Sequence, residues 1–152
     1  MFSFHTFDSY QKIGSVEKIE LINFLYDNLD EFRDKKEDIE KAIDFAIREN
    51  GNLPEKYSFG GVLIICKDNN DIAGAVVINR TGMKGYIPEN ILVYISVHRE
   101  YRGKGLGKKL MEKAIEMVEG DIALHVEYDN PARFLYEKIG FTSKYMEMRY
   151  RK

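Results

Sequence analysis

The chain has 152 residues, a length that suits one domain, so we expect a single domain spanning residues 1–152. Hydrophobic residues make up 44% of the chain and charged residues 32%, which is typical of a water-soluble globular protein. The formal net charge is −2 and basic residues cluster only around one short turn, so no nucleic-acid partner is expected. No stretch approaches the roughly 18 apolar residues of a membrane span, and the first residues lack the basic-then-apolar order of a signal peptide. We therefore expect no membrane partner and a cytoplasmic location.

The few cysteine and histidine residues limit metal and disulfide chemistry. Cys66 is the only cysteine, so no internal disulfide can form, and it lies in an apolar run. The three histidines are not spaced from Cys66 or from each other like metal ligands. The sequence therefore predicts no metal site.

The first half of the chain alternates between strand and helix patterns. Phe2, Phe4 and Phe7 indicate a short edge strand. Apolar residues at helical spacing predict a helix that opens at Gly14 or Ser15 and continues to about Leu29. A second helix follows through Ile39 and Ile47, and its predicted stop is formed by Asn50, Gly51 and Pro54.

A β-hairpin and a loop come next. The runs 61–66 and 72–78 are rich in β-branched residues, and the turn formers at 68–71 separate them. Gly74 within the second run predicts a bulge or a close approach of another backbone or side chain. The segment 80–89 is rich in glycine and turn formers, and we expect a mobile loop.

The most informative stretch joins a strand to a helix through residues 102–107, which we call the glycine turn. An apolar run at 91–97 predicts a buried strand, and helical periodicity begins at Leu106. The glycine turn between them reads RGKGLG. Unpaired N–H groups at a helix start, the helix dipole and nearby cations favour a phosphate ligand. A P-loop is excluded because Lys109 stands where Ser or Thr is needed, and a dinucleotide fingerprint is excluded because Lys108 replaces its third glycine.

The C-terminal part predicts a strand, a short helix and another strand. Residues 121–127 form the first strand pattern. Asn130 is a suitable N-cap, Pro131 suits the first helical position, and Gly140 is a suitable stop, so a short helix is expected between them. Residues 144–152 alternate apolar and polar side chains, which predicts a last strand.

Two of these segments carry a family resemblance. Arg102, Gly105 and Gly107 form R-x-x-G-x-G, and residues 132–141 form A-x-x-L-Y-E-K-x-G-F. Their order and separation resemble the two acyl-CoA-binding motifs of the GNAT superfamily of N-acyltransferases. The resemblance implies an α/β fold with a mixed, mostly antiparallel sheet of six to seven strands, about four flanking helices, and a parallel strand pair that splays apart at the coenzyme A site.

The resemblance also implies roles for residues of this chain. Tyr136 is the expected general acid for the coenzyme thiolate, since a phenol with a pKa of about 10 stays protonated at neutral pH. The common pattern has an asparagine seven residues before this tyrosine, where Asp129 stands here, with Asn130 next to it. The residues expected to bind acetyl-CoA are Ile95, Ser96, Val97, Arg102, Gly103, Lys104, Gly105, Leu106, Gly107, Lys108, Asn130, Arg133 and Tyr136.

The base for the acceptor amine is less well specified. Many relatives carry a glutamate eleven residues before the motif arginine, and Ile91 occupies that position here. Glu89 is the nearest substitute and is the predicted base, while His125 and Glu127 on the following strand are the alternatives.

The expected function is direct transfer of an acetyl group from acetyl-CoA to a primary amine of a small molecule, peptide or protein. An acyl-CoA sensor or interaction module that keeps the coenzyme pocket but has no turnover is the alternative. The sequence does not distinguish a monomer from a homodimer.

Overall fold

The structure, a computed structural model, describes residues 1–9, 11–48 and 59–152. The described strands are β1 Phe2–Asp8, β2 Gly61–Asp68, β3 Asp71–Arg80, β4 Asn90–Val97 and β5 Ile122–Leu124, and the α-helices are α1 Ser15–Asn28, α2 Lys36–Ile47, α3 Leu106–Met117 and α4 Ala132–Ile139. Short 3-10 turns lie at Asp30–Phe32 and Arg99–Tyr101.

The five described strands form one mixed sheet in the order β1-β2-β3-β4-β5. Strands β1 to β4 pair antiparallel, and β4 pairs with β5 in parallel. The expected α/β class and mostly antiparallel sheet are confirmed, but the expectation of six to seven strands is wrong for the described residues. The missing strand is residues 144–152, because this segment takes no backbone hydrogen bond from the sheet.

The sheet is covered on both faces, which explains the continuous apolar runs of its central strands. Helices α1 and α2 pack on one face, against side chains such as Leu63, Ile65 and Val77. Helix α3 and Tyr136 of α4 pack on the other face, against side chains such as Ile64 and Val76. Because alternate side chains of β2 and β3 enter different cores, both sets must be apolar.

Two register shifts bend the sheet. Cys66 pairs with Gly74 whereas Lys67 pairs with Ile72, so the expected irregularity beside Gly74 is confirmed. A Cβ atom at Gly74 would stand 2.6 Å from Leu110 Cδ1, which explains how α3 approaches β3 so closely. A second shift lies in β4, where Leu92 and Tyr94 pair with consecutive residues of β3 and leave Val93 without a partner.

The remaining boundaries differ from the expectations by a few residues. Strand β5 covers three residues rather than 121–127, because its pairing with β4 ends at Leu124. Helix α2 ends at Ile47 with Arg48 in the left-handed region, while the expected stop at Asn50, Gly51 and Pro54 lies outside the described residues. Residues 81–89 contain no helix or strand. None of the described helices has the length and apolar character needed to cross a bilayer.

Candidate active site

The parallel pair β4 and β5 leaves an open strand edge at its C-terminal end. Pairing runs from Asn90 with Ile122 to Leu92 with Leu124 and then stops, so residues 93–97 of β4 have no strand partner on that side among the described residues. We call the space along this edge the donor cleft. Its start coincides with the unpaired Val93, since a bulge increases the local twist of a strand and turns it away from its neighbour.

The hydrogen bonds of β4 show which backbone groups point into the donor cleft. The N–H group of His98 donates to Ala73 O of β3 at 2.8 Å. Because alternate residues of an antiparallel strand bond to the same neighbour, the backbone of Ser96 also faces β3. The backbone groups of Ile95 and Val97 therefore point towards the open edge. The Ser96 hydroxyl is buried and donates to Asn28 O at 2.8 Å, away from the cleft.

The glycine turn follows β4 after the 3-10 turn Arg99–Tyr101 and forms a backbone cradle. Gly103 has φ +76° and Gly105 has φ +82°, and a Cβ atom at either position would meet nothing within 4 Å. Gly105 lies at the N-cap of α3 and offers no side-chain cap to the first amides of the helix. These amides lack carbonyl partners within the helix, and the space in front of Gly103 and Gly105 beside them is open. The cradle therefore fits a phosphate group, whose oxygens would accept from them.

Gly107, unlike Gly103 and Gly105, lies against other elements of the fold. A Cβ atom there would stand 3.1 Å from Leu135 Cδ2 and 3.7 Å from Val97 Cγ2. A Cβ atom would therefore require the end of the Leu135 side chain to shift by a few tenths of an ångström, while its contact with Val97 would be an ordinary one. Gly107 thus marks the close packing of α4 on the first turn of α3, and Tyr136 follows Leu135 in α4.

The Arg102 side chain binds the protein itself rather than the open side of the turn. Its guanidinium group donates to Asp30 Oδ2 at 2.9 Å and to Asn28 O at 2.7 Å, and its Nε donates to Val97 O at 2.9 Å. Arg99 also donates to Asp30 Oδ1, at 2.8 Å. Hydrogen bonds from Arg99 and then Arg102 hold the pKa of Asp30 below its usual value. The two arginines thus connect the end of α1 to the glycine turn.

Other expected coenzyme ligands have neighbours within the protein. Lys108 Nζ lies 3.6 Å from Glu112 Oε1, and Lys104 Nζ lies 5.8 Å from the centre of the Tyr101 ring. Asn130 Oδ1 accepts from Ala132 N at 2.9 Å, so its side chain satisfies the first amide of α4. The N-cap position itself is Pro131, one residue later than expected. Arg133 Nε lies 2.9 Å from Glu137 Oε1 as an ion pair, but its N–H group is not directed at that oxygen.

Tyr136 is buried against the α3 side of the sheet and packs beside Phe141, with ring centres 6.0 Å apart. Its hydroxyl forms no hydrogen bond with the described residues, whereas Tyr94 and Tyr101 donate to Asp34 and Asp68. Burial raises the pKa of Tyr136 to about 12, so the phenol is protonated at neutral pH. Tyr136 therefore offers an unused hydrogen-bond donor beside the glycine turn.

Glu89, the predicted base, lies just before β4 and contacts the turn between α3 and β5. Its Oε2 accepts from Asp121 N at 2.6 Å, and a Cβ atom at Gly120 would collide with its carboxyl group. The hydrogen bond from Asp121 lowers the pKa of Glu89. The alternatives, His125 and Glu127, are exposed beyond the end of β5. Glu89 as the base stays a prediction.

Sequence reasoning missed a polar pair on the opposite face of β4. The hydroxyl of Tyr94 donates to Asp34 Oδ2 at 2.5 Å, and burial together with the Asp34 carboxylate raises the pKa of Tyr94. Asp34 also lines a surface groove of about 440 Å³ between α1 and α2, together with Tyr26, Arg33, Lys35, Lys36 and Glu37. Asp34 is 60 residues from Tyr94 in the chain, so no local pattern could have revealed the pair.

Comparison with known proteins gives a consistent result. A family model described as the acetyltransferase (GNAT) domain matches residues 59–143. The chain is 28% identical over 82 residues to N-alpha-acetyltransferase 30 of Schizosaccharomyces pombe, in an alignment that covers 51% of this chain and 55% of that protein. It is 33% identical over 84 residues to the 5-NmdU N-acetyltransferase of Pseudomonas phage PaMx11, covering 54% of this chain and 58% of that protein. The chain thus matches little more than half the length of these two relatives.

The fold also matches a solved structure with bound coenzyme. The NatC complex bound to Gag peptide and CoA superimposes with a TM-score of 0.69 at 20% sequence identity, covering 93% of this chain and 84% of that chain. The family match begins just before β2 and ends just after α4, so it contains the donor cleft, the glycine turn and Tyr136. The chain belongs to the GNAT family of acetyltransferases.

Proposed function

We propose that the protein is an N-acetyltransferase that moves the acetyl group of acetyl-CoA directly to a primary amine. The observation that carries this proposal is the continuity of the donor cleft with the glycine turn. An open strand edge can hydrogen-bond an extended amide-containing arm, and the turn at its end can hold a pyrophosphate. Acetyl-CoA has these two parts in this order, and it supplies the activated acetyl group.

The chain's own groups account for binding and orientation. The backbone groups of Ile95 and the N–H group of Val97 would hold the arm, since Val97 O already accepts from Arg102 Nε. The amides of residues 103–107 would hold the phosphates. Lys104, Lys108 and Arg133 lie around these groups and would add positive charge. Arg102 would act by fixing the turn through Asp30 and Val97 rather than by contact with phosphate.

Tyr136 would donate a hydrogen bond to the departing thiolate. The thiolate of a thiol with a pKa near 8.5 is a weaker base than the phenolate of Tyr136, whose phenol has a pKa of about 12. Full proton transfer from Tyr136 to the thiolate would therefore cost about 5 kcal/mol. Donation of a hydrogen bond carries no such cost and still stabilises the charge that develops on sulfur. The proton that neutralises the thiolate would then come from the amine.

The acceptor side favours an amine that loses its proton easily. At pH 7, deprotonation costs about 1.4 kcal/mol for an α-amine of pKa near 8 and about 4.6 kcal/mol for a lysine side chain of pKa near 10.4. The hydrogen bond from Asp121 N lowers the pKa of Glu89, which makes its carboxylate a weaker base. Glu89 would therefore be poorly suited to remove a proton from an ammonium group of high pKa. We infer that α-amines of peptides or amino acids are the preferred acceptor class, entering from the side of Tyr94 and Asp34.

The first test measures thiol release from acetyl-CoA at pH 7 with two peptides. One has a free α-amine and no lysine, and the other has a blocked terminus and one lysine. We expect the first to react at least about 100-fold faster. Equal rates would refute the α-amine preference. Binding of acetyl-CoA without turnover on any amine would instead support the sensor alternative.

A second test concerns Glu89. Glu89→Gln keeps an oxygen that accepts from Asp121 N but removes the basic carboxylate, whereas Glu89→Ala removes both. If Glu89 is the base, kcat falls by about 10²-fold or more in both variants. If only Glu89→Ala is impaired, the residue supports the turn at Gly120 and is not the base.

A further inference from the structure

A groove lies between α1 and α2 on the face of the sheet that carries Tyr94, and we call it the linker groove. It has a volume of about 440 Å³ and is lined by Tyr26, Arg33, Asp34, Lys35, Lys36 and Glu37. Asp34 connects the linker groove to β4, because its Oδ2 accepts from the Tyr94 hydroxyl. Tyr94 lies in the part of β4 that borders the donor cleft. A molecule in the linker groove is therefore one side chain away from the donor cleft.

Two cations of the linker groove are held against an aromatic ring. Arg33 Cζ lies 4.1 Å and Lys36 Nζ lies 4.9 Å from the centre of the Tyr26 ring. The quadrupole of the ring attracts both cations, so each side chain has lost part of its conformational freedom before a ligand binds. An anion bound by these two side chains therefore costs less ordering than one bound by freely rotating side chains.

No carboxylate of the described residues neutralises the cations of the linker groove. Arg33, Lys35 and Lys36 form no ion pair within the described part of the chain, whereas Arg99 and Arg102 both pair with Asp30. The lining contains three cations against two carboxylates, which gives a formal charge of +1. One further carboxylate would balance this charge, whereas a doubly charged phosphate would exceed it.

Asp34 supplies the opposite charge beside β4. Its Oδ2 accepts from Tyr94, while its other oxygen, Oδ1, accepts from no donor in the described ranges. An ammonium group attracted to Oδ1 would stand next to Tyr94 and so at the side of the donor cleft. The linker groove thus presents a carboxylate beside β4 and cations beside α1.

We propose that the linker groove selects peptides in which the second or third residue is Asp or Glu, so that the preferred acceptor is an acidic N-terminal segment. In this inference, which rests on the proposed function, Asp34 attracts the α-ammonium group and Arg33 and Lys36 bind the carboxylate of the peptide. A guanidinium group can donate two parallel N–H bonds to one carboxylate. Because Arg33 and Asp34 are consecutive in the chain, both ends of the groove lie within reach of two or three extended residues, which span about 7–10 Å.

Calorimetric titration of peptides in the presence of saturating coenzyme A tests the selectivity. Coenzyme A carries no acetyl group, so binding is measured without turnover. The peptides share a free α-amine and contain no lysine: one is neutral, two carry a single Glu at the second or third residue, one carries Arg at the second residue, and one carries Glu near its C-terminus.

We expect the better of the two peptides with an early Glu to have a Kd about tenfold below that of the neutral peptide, because a hydrogen bond to a charged group is worth this much or more. The peptide with the late Glu should bind like the neutral one, and the peptide with Arg should bind more weakly. Two results would overturn the proposal: equal Kd values for early-Glu and neutral peptides, or equal gains from early and late Glu, since the second would show only long-range attraction.

Paired substitutions test which side chains recognise the carboxylate. Arg33→Gln with Lys36→Gln removes both charges, and the ratio of the neutral to the early-Glu Kd should fall from about ten to near one. Lys12→Gln with Lys152→Gln is the control, since it removes the same charge from exposed sites that do not line the groove, and it should keep the ratio. Arg33→Glu with Lys36→Glu should reverse the preference in favour of the Arg peptide. A control that loses the ratio, or a reversed variant that still prefers Glu, would refute recognition by Arg33 and Lys36.

Thiol release from acetyl-CoA with the same peptides separates this inference from the proposed function. Turnover with a KM that follows the order of the Kd values supports both. Selective binding without turnover on any peptide would support the linker groove and refute the transferase function. Turnover without selectivity would support the transferase function and refute the preference for acidic peptides.

Discussion

The glycine turn can be tested by adding one methyl group to Gly105. Gly105 has φ +82° and a Cβ atom there would meet no atom of the protein within 4 Å. Gly105→Ala therefore costs only backbone strain, about 1–2 kcal/mol for an L-residue in the left-handed region. At about 2–4 °C per kcal/mol for a chain of this size, the midpoint of thermal unfolding should fall by about 2–8 °C.

Gly85→Ala is a matched control. Gly85 also has φ +82° and a Cβ atom there would also meet nothing within 4 Å, but it lies in the loop before β4 rather than in the glycine turn. The two variants should therefore lose the same stability in the absence of ligand. They should differ only if the space in front of Gly105 is used by a ligand.

Thermal melts with coenzyme A provide the readout. At a coenzyme concentration one hundred times its Kd, the wild type and Gly85→Ala should each gain about 2.7 kcal/mol. A methyl group in the cradle that weakens binding tenfold would reduce this gain to about 1.4 kcal/mol at the same concentration. An equal thermal shift in all three proteins would refute the assignment of the glycine turn as the phosphate site.

Three further outcomes follow from particular contacts. Tyr136→Phe should lower kcat by about 10²-fold or more in a thiol-release assay, because the departing thiolate loses its hydrogen-bond donor. The Kd of coenzyme A and the unfolding midpoint should not change, since the Tyr136 hydroxyl bonds to no described residue. A loss of stability with full activity would contradict this prediction. Gly74→Ala should lower the free energy of unfolding in urea by about 1–3 kcal/mol, because its Cβ would stand 2.6 Å from Leu110 Cδ1. Gly14→Ala, whose Cβ would meet nothing within 4 Å, should cost less than about 1 kcal/mol, which is the preference for Gly over Ala at the N-cap of α1. Asp30 has a lowered pKa, so its ion pairs stabilise the fold above its unfolded pKa of about 3.9, and this contribution is lost as pH falls through the lower folded pKa. The difference in free energy of unfolding between wild type and Asp30→Asn should therefore disappear progressively below about pH 4. A difference that persists at low pH would refute the electrostatic explanation.

Much of the fold was predictable because its signals are local. Helical periodicity, the capping side chain of Asn130 and the glycines of residues 102–107 act within a few residues of each other, and the structure places α3 and α4 within a few residues of their expected bounds. The bulge beside Gly74 was also predictable, since glycine inside an apolar strand run has few other uses.

The hydrogen-bond partners of several polar side chains depend on tertiary contacts that local sequence patterns do not indicate. The family resemblance assigns Arg102 to the coenzyme site, and no sequence pattern indicates that Asp30 and Asn28, more than 70 residues away, meet its guanidinium group in the folded chain. The Tyr94 and Asp34 pair arises in the same way, from two segments that meet only after α1 and α2 pack on the sheet.

Residues 144–152 show most clearly the difference between a strand predicted from the sequence and a strand paired in the structure. Alternation from Met146 to Tyr150 establishes that residues 144–152 could form a strand, because side-chain direction depends only on neighbouring backbone angles. A strand also needs a partner edge to take its hydrogen bonds, and that partner is never local. The sequence by itself therefore determined which segments can be helices, strands and a phosphate-binding turn, whereas only the tertiary structure decided which strands pair, which polar side chains are already engaged, and which edge remains open.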